Sequence, residues 1–163
     1  MNIVYLKTLF EFNKLTGNLH WKVSRSNRVK VGSEAGYINT HDGYRYINID
    51  RKMYKAHRLV WLYVFGEFPD GILDHKNQCR SDNRIHNLRE CSQSENMCNR
   101  GKTANNTSGY KGVCFHKTTG KWRASVIKHG KKHSLGLHFT PEDAYIAYVK
   151  GCELIHKEFA NVT

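Results

Sequence analysis

The sequence predicts an α+β fold in two small blocks. Three observations support this. Residues 1–99 combine short strand-like segments with one amphipathic helix, residues 108–163 show three strand-like runs followed by a helix, and residues 100–107 between them are polar. A chain of 163 residues has room for two domains of this size and little more.

The first block opens with segments around residues 19–23 and 44–49, where apolar residues alternate with polar ones between Gly and Asn. This pattern predicts β hairpins. A helix is expected over residues 54–65, because apolar side chains recur there at helical spacing and Gly66 is placed to end it. Residues 70–75 then form a turn into a short strand that ends on Asp74 and His75.

The second block has strand-like runs at 112–116, 121–128 and 131–139, separated by Gly-containing turn signals. They predict a three-stranded antiparallel sheet. A helix should follow, since Thr140 can cap it and Pro141 suits the first helical position. Its apolar stripe can pack on the sheet and consists of Ala144, Tyr148, Cys152 and Ile155.

The charge predicts a polyanionic partner. Lys and Arg total 26 against 14 Asp and Glu, a net charge of +12. Residues 1–100 carry 16 basic and 10 acidic side chains and residues 101–163 carry 10 and 4, so both blocks are expected to contact the polyanion. No apolar run is long enough for a transmembrane helix and no signal peptide is apparent, so we expect no membrane partner and a cytoplasmic location.

The five cysteines form an odd number without a C-x-x-C motif, which predicts reduced thiols. A zinc site made of Cys79, Cys91 and Cys98 with a nearby histidine is an alternative, although structural zinc normally takes two closely spaced ligand pairs. The favoured interpretation is that the cysteines pack as small buried hydrophobes.

Asp74 and His75 could supply a metal ligand and a base, as phosphodiester hydrolysis requires. Adjacent strand residues point to opposite faces, so both can serve one site only at a strand end, or if one reaches round to the metal. By itself this dipeptide is weak evidence, because it occurs by chance in many proteins.

The wider segment resembles the HNH (ββα-metal) nuclease motif, in the variant of phage and intron-encoded homing endonucleases. The resemblance runs through residues 56–61, 69–71, 74–75, 82–89 and 95–96. It implies a nuclease domain over 1–99 with its motif core at 56–99, in a bacterial or phage-infected host cell.

The same resemblance implies roles for four residues: His75 as general base, Asn87 as the residue that orients it, and Asp74 and Asn96 as metal ligands. His86 has no role in the family. One carboxylate and one amide oxygen suit a single Mg²⁺ or Mn²⁺ ion better than zinc. Asp82 and Asn83 are expected to cap turns in a tight loop.

The second block resembles the Apetala/ethylene-response-factor DNA-binding domain, which reads DNA with its sheet. It departs from that family at residues 114–116, where much of an arginine-rich strand is replaced. Strand alternation places Trp122 inward and Arg123 outward. The residues expected to contact DNA are His57, Arg58, Arg84, Arg89, Lys111, His116, Arg123, Ser125, Lys132 and Ser134.

These observations predict a site-recognising, metal-dependent DNA endonuclease that binds double-stranded DNA and needs no small-molecule cofactor. A non-catalytic DNA-binding regulator would explain the charge and the sheet, and an RNA-binding protein would explain the charge alone. We expect a monomer, because no long amphipathic dimerisation helix is evident, and a monomer with one active site tends to nick.

Overall fold

A computed structural model of the chain describes residues 1–27, 29–99, 101, 105–128 and 130–156, excluding the side chains of Ser94, Met97, Cys98 and His156. The chain divides into two compact units, Met1–Cys91 and Ser92–Thr163. Each unit combines helices with small antiparallel sheets, which confirms the predicted α+β class.

The first unit begins with a helix that the sequence analysis did not predict, α1 (Ile3–Leu9). The side chain of Asn2 accepts a hydrogen bond from the Tyr5 backbone N–H and so caps the first turn. The hairpin of β1 (Phe10–Asn13) and β2 (Asn18–Trp21) follows. Leu6 and Phe10, one on each side of the junction between α1 and β1, are fully buried.

A three-stranded antiparallel sheet comes next, made of β3 (Tyr37–Ile38), β4 (Arg45–Ile49) and β5 (Lys52–Lys55). The helix α2 (Ala56–Phe65) then ends at Gly66, whose φ of 90° is left-handed. It starts two residues later than predicted, because Tyr54 and Lys55 pair with β4 instead of joining the helix.

One hydrophobic core holds the first unit together. Helix α2 contributes Leu59 and Val60, both fully buried, and β4 contributes Ile47. The predicted strand near residue 74 is β6 (Ile72–His75), and it pairs with β7 (Leu88–Cys91). Leu88 of β7 belongs to the same core, so the β6–β7 hairpin is anchored to the body of this unit.

The second unit begins with α3 (Gln93–Asn99), which starts with a capping box. The Glu95 carboxylate accepts from the backbone N–H of Ser92 at 2.8 Å, and the Ser92 hydroxyl accepts from the Glu95 N–H at 3.3 Å. The nuclease block was predicted to end at residue 99, whereas the compact units divide before α3. The division into domains at 1–99 and 108–163 stays a prediction, and the middle of the 100–107 linker lies outside the described residues.

The predicted meander is present. It consists of β8 (Val113–His116), β9 (Lys121–Lys128) and β10 (Lys131–His138), with β9 in the centre. The helix α4 (Pro141–His156) follows, and the backbone N–H of Asp143 donates to the Thr140 hydroxyl, as the predicted cap requires. Within the described part of the chain, no helix combines the length and the apolar character needed to cross a bilayer.

The core of the second unit lies between the sheet and α4. The inward strand positions Val113, Ala124 and Val126 are buried, and so are Ala144, Tyr148 and Cys152 of α4. Trp122 is half-buried and packs against the same core, which confirms its inward orientation.

We expect Gly17→Ala to destabilise the first unit strongly. Gly17 has a φ of +77°, and a Cβ there would lie 2.2 Å from the backbone N of Arg84 and 2.4 Å from the carbonyl carbon of Asn83. Gly32 is a matched control, because its φ is +81° but nothing lies within 4 Å of an added Cβ. Gly32→Ala should cost about 1–2 kcal/mol in urea unfolding, and Gly17→Ala roughly 2 kcal/mol more. Equal losses would contradict the close packing at Gly17.

Candidate functional site

Asp74 is held by a cross-strand ion pair. The register of β6 and β7 places it opposite Arg89, and both the Nε and the Nη2 atoms of Arg89 lie 2.9 Å from Asp74 Oδ2. Both side chains are almost fully buried, with 7% and 11% exposed. A buried carboxylate is costly without a partner, so Arg89 makes it possible for Asp74 to occupy this position.

His75 is the last residue of β6, which is the position where two adjacent strand residues can serve one site. Only 3% of the residue is exposed. Its ring contacts that of His57 edge-on, at 5.1 Å between centroids, and that of Tyr44 at 5.9 Å, and its Nε2 lies 3.1 Å from Asn83 Oδ1.

Burial keeps the histidines of this cluster neutral. It lowers the pKa of His75, against a smaller opposing effect of the hydrogen bond with Asn83. It also lowers the pKa of His57 to about 3, with the nearby His75 adding to the shift. A neutral imidazole is the form that can accept a proton from water, so the electrostatics of His75 suit a general base at neutral pH.

The loop 76–87 between β6 and β7 is held by its own polar side chains. Asn87 donates from Nδ2 to the backbone O of Asp82 and to Asn77 Oδ1, and its Oδ1 accepts from the Asn77 N–H. The guanidinium of Arg84 donates two hydrogen bonds, of 2.7 and 2.6 Å, to the Asp82 carboxylate. These bonds lower the pKa of Asp82 to about 2. The loop therefore has a defined shape beside the end of β6.

The structure places Asn87 in the loop and Asn83 at the histidine. Asn87 reaches β6 through its backbone O, which accepts from Lys76 N–H at 2.9 Å. By shaping the loop, Asn87 can orient His75, which is the role that the sequence resemblance implies for it. The hydrogen bond to the imidazole comes from Asn83, for which the sequence analysis expected only a turn-capping role.

The metal ligands expected from the sequence lie in different units. Asp74 is in the first unit, and Asn96 is a half-buried residue of α3 in the second, with its backbone N–H bonded to Ser92 O. No group of three or more His, Cys, Asp or Glu side chains suited to a metal ion occurs in the part of the chain that the structure describes. A carboxylate and an amide oxygen fit a hard ion such as Mg²⁺ or Mn²⁺, which keeps several waters and needs no closed protein cage.

The zinc alternative gains no support. Cys79 is exposed and Cys91 is buried, both as free thiols, and the side chain of Cys98 lies outside the described residues. Cys152 packs in the core of the second unit, as expected for a small hydrophobe, and burial raises its pKa.

Two residues expected to contact DNA are placed at the candidate site instead. His57 is only 5% exposed and lies behind His75, so its burial argues against a phosphate contact. Arg89 pairs with Asp74. Arg58 packs over Phe68 and donates to Pro69 O, while 43% of the Arg84 side chain is exposed beside Asp82.

In the second unit, the strand register brings most of the predicted contacts to one face of the sheet, which we call the outer face. Arg123 lies opposite Cys114, Ser125 opposite Ser134, and Lys132 opposite Ile127. His116 lies opposite Lys121 on the same face, so a basic residue accompanies it. Lys111 is different: it precedes β8 and is not part of the strand register.

Arg123 occupies the centre of this face with incomplete hydrogen bonding. Its Nη2 lies 3.4 Å from Cys114 Sγ, and its buried Nε has no partner among the described residues. An unsatisfied buried donor is costly. Arg123 Nε, in the middle of the outer face, could therefore donate a hydrogen bond to an acceptor on a bound molecule.

Sequence reasoning missed Tyr44 and misread Asn83. Tyr44 contacts both histidine rings, and the cations of Lys55 and Arg80 lie over its ring at 3.9 and 5.1 Å. No sequence pattern links this tyrosine to the site, because the contact depends on how the segment before β4 packs in the folded unit. Asn83 lies inside the recognised motif segment, but its turn-like surroundings hid the contact with His75.

Comparison with known proteins supports a nuclease. Residues 54–98 match a family described as HNH endonuclease. Protein 3.8 of Escherichia phage T7 is 34% identical over 88 residues, which covers 52% of this chain and 73% of that protein. No solved structure matches the chain. The matched segment contains α2, β6 and β7, and thus Asp74, His75, Asn83 and Asn87.

The match confirms the HNH part of the resemblance seen in the sequence, and the phage relative agrees with the phage context. HNH endonucleases generally use a divalent metal, and a nuclease domain implies DNA as the substrate. The resemblance of residues 108–163 to the Apetala/ethylene-response-factor domain stays a prediction.

We expect the free energy of unfolding of the first unit to decrease as the pH is lowered, in part because of His57. Its pKa is about 3 in the folded protein and near 6.5 when unfolded. Between these two pH values the unfolded state therefore binds one more proton than the folded state. The contribution of neutral His57 to the free energy of unfolding is fully present above pH 6.5 and is lost as the pH falls towards 3. At pH 5 the wild type should have lost about 2 kcal/mol through this residue.

Urea unfolding of the wild type and of His57→Gln at pH 7 and pH 5 measures this contribution. The variant should lose less stability between the two pH values than the wild type. Identical losses would mean that His57 does not titrate as a buried neutral group.

Proposed function

We propose that this chain, which belongs to the family of Protein 3.8 of Escherichia phage T7 and carries an HNH endonuclease domain at residues 54–98, is a divalent-metal-dependent DNA endonuclease of the homing type. The observation that carries the proposal is the end of β6, where a buried, arginine-paired carboxylate is followed directly by a buried neutral imidazole.

His75 acts as the general base. It takes a proton from a water molecule as the water oxygen attacks phosphorus, and the bond between phosphorus and the leaving sugar oxygen breaks. The leaving oxygen ends protonated by solvent, so one water is consumed for each phosphodiester bond cut. The lowered pKa of His75 keeps its imidazole unprotonated before the reaction.

Asp74 would hold the cation, one Mg²⁺ or Mn²⁺ ion, and the sequence resemblance implies Asn96 as a second ligand. When bound, it would neutralise the charge that grows on the phosphate and stabilise the leaving oxygen. Arg89 fixes the direction of the Asp74 carboxylate through its contacts on Oδ2. The chain order β6, β7, α3 is that of a ββα-metal motif.

The second unit supplies DNA affinity through its outer face. Arg123, Ser125, Lys132 and Ser134 share that face by strand register, and a three-stranded sheet has a width that can enter a major groove. We infer that this unit holds the duplex in register while the first unit cuts. A similarity to the Apetala/ethylene-response-factor domain supports this division.

A plasmid assay tests the function. The full chain is incubated with supercoiled plasmid and Mg²⁺, with and without a chelator. We expect cleavage that requires the metal, and open-circle product as the main species, because one copy of the chain carries one active-site segment. The absence of metal-dependent cleavage would favour the alternative, a DNA-binding regulator, which the basic outer face alone would explain.

His75→Ala should abolish cleavage and leave DNA binding within a few-fold, because the base acts on water while phosphate contacts supply most of the affinity. His41 is an exposed histidine of the same unit and provides a matched control. His41→Ala should cut like the wild type. Parallel measurements of cleavage and of electrophoretic mobility shift check this, and a parallel loss of binding in His75→Ala would argue against the assigned role.

Arg123→Ala should weaken DNA binding and reduce the slope of log K against log salt by about 1, if the guanidinium contacts a phosphate. Trp122→Phe is the matched change on the adjacent, inward position and should lower the melting temperature first. Binding isotherms at several salt concentrations and thermal melts separate the two effects. Loss of binding by Trp122→Phe at unchanged thermal stability would reverse the assignment of the two faces.

A further inference from the structure

We propose that Asn83 is the positioning residue that sets the tautomer and the in-plane orientation of the His75 imidazole. The inference rests on the proposed function, because it gives His75 the role of base. It concerns a hydrogen bond inside the first unit and does not depend on the second unit.

The contact is short and shielded from water. Asn83 Oδ1 lies 3.1 Å from His75 Nε2, and the two residues are 1% and 3% exposed. A hydrogen bond without competing water has more influence on the orientation of its partner than one at the surface. The edge-on ring of His57 and the tilted ring of Tyr44 pack against the imidazole, so they restrict the plane of the ring, while Asn83 selects between the two χ2 orientations, 180° apart, that share this plane.

Asn83 is itself held on both sides. Its carbonyl carbon packs against Gly17, where even a methyl group would not fit. The following residue, Arg84, grips Asp82 with two short hydrogen bonds. The backbone O of Asp82 accepts from Asn87 Nδ2 at 2.8 Å. The backbone on each side of Asn83 is thus fixed, and the amide is presented to His75 from a rigid support.

A turn-capping role does not account for this side chain. Its Oδ1 faces His75, and its buried Nδ2 has no hydrogen-bond partner among the described residues. Burying an unpaired amide N–H destabilises the fold. An amide is therefore retained here at a cost to stability, which points to the bond with the imidazole as its use.

The bond has a chemical consequence. Because a carbonyl oxygen only accepts, Asn83 Oδ1 selects the His75 tautomer that carries its proton on Nε2. The lone pair is then on Nδ1, and Nδ1 is the nitrogen that takes the proton from water. Without Asn83, the two tautomers would mix and the ring could flip by 180° about χ2, so a fraction of the molecules would present the wrong atom.

Nitrogen NMR of the metal-free full-length protein tests the proposal without any activity. Long-range ¹H–¹⁵N spectra of ¹⁵N-histidine-labelled protein at pH 8 distinguish the two tautomers. We expect His75 in the Nε2–H form in the wild type, a mixture in Asn83→Ala, and the Nε2–H form again in Asn83→Asp, since a carboxylate keeps an acceptor at the same place. An Nδ1–H tautomer in the wild type would overturn the proposal.

Asn77→Ala is the matched control. Asn77 bonds to Asp82 and Asn87 in the same loop and is exposed, so its loss loosens the loop without removing a hydrogen bond from the imidazole. This variant should keep the Nε2–H form. A mixture of tautomers in Asn77→Ala equal to that in Asn83→Ala would show that loop integrity, and not Asn83, orients the ring.

Cleavage kinetics provide a second readout. Asn83→Ala should lower kcat by about 10- to 100-fold, the range typical of residues that orient a reactive group, with KM within about twofold because Asn83 is buried and contacts no substrate. Asn83→Asp should recover most of kcat. Unchanged kcat in Asn83→Ala would overturn the proposal, whereas a wild type that cuts nothing would overturn the proposed function and leave the NMR result to decide on Asn83.

If Asn83→Ala does not fold, the tautomer of His75 in the wild type and in Asn83→Asp still tests the proposal. An Nε2–H wild type together with a folded Asn83→Asp that keeps this tautomer supports the proposal. A folded Asn83→Asp in which His75 takes the Nδ1–H form would mean that an acceptor at residue 83 does not set the tautomer, which contradicts the proposal.

Discussion

The buried pair of Asp74 and Arg89 is the interaction on which the candidate site depends. Taking a carboxylate out of water costs several kcal/mol unless a cation accompanies it, and here the cation comes from the opposite position of the partner strand. A one-residue slip between β6 and β7 would turn Arg89 to the other face. Leu88, next to Arg89, is buried in the core, so core packing and ion pairing specify the same register.

The same register places His75 at the end of β6, where loop 76–87 begins. That loop is shaped mainly by amide, carboxylate and guanidinium groups that bond to one another, and Ile85, in a short 3₁₀ helix (Ile85–Asn87), packs on the core. The first unit therefore joins an apolar core to a mostly polar loop at one residue, His75. The combination explains how a polar segment with one short 3₁₀ helix can hold side chains in place for chemistry.

Local signals in the sequence predicted the second unit best. The strand 121–128 and the start of α4 at Pro141 agree with the structure, because alternation and capping act within a few residues. The predicted start of α2 at residue 54 was wrong, since Tyr54 and Lys55 pair with β4, and that pairing depends on residues distant in the sequence. The helix α1 and the capping box of α3 were overlooked, although Asn2, Ser92 and Glu95 carried the signal.

The candidate site shows the same limit. Motif spacing identified Asp74 and His75, and the family match covers both. Spacing could not show that His57 and Arg89 turn inwards, that Asn83 contacts the imidazole, or that Tyr44, just before β4, packs beside it. Burial and tertiary contact decide these placements, and a charged or polar side chain carries no local sign of them.

Binding of Mn²⁺ by the full chain, followed by electron paramagnetic resonance with a DNA duplex present, tests the central claim most directly. The account predicts about one bound ion per chain and at least tenfold weaker binding in Asp74→Asn, with the variant's folded state checked by circular dichroism. A folded Asp74→Asn that binds Mn²⁺ as tightly as the wild type would contradict the claim that the carboxylate at the end of β6 holds the metal of a nuclease site.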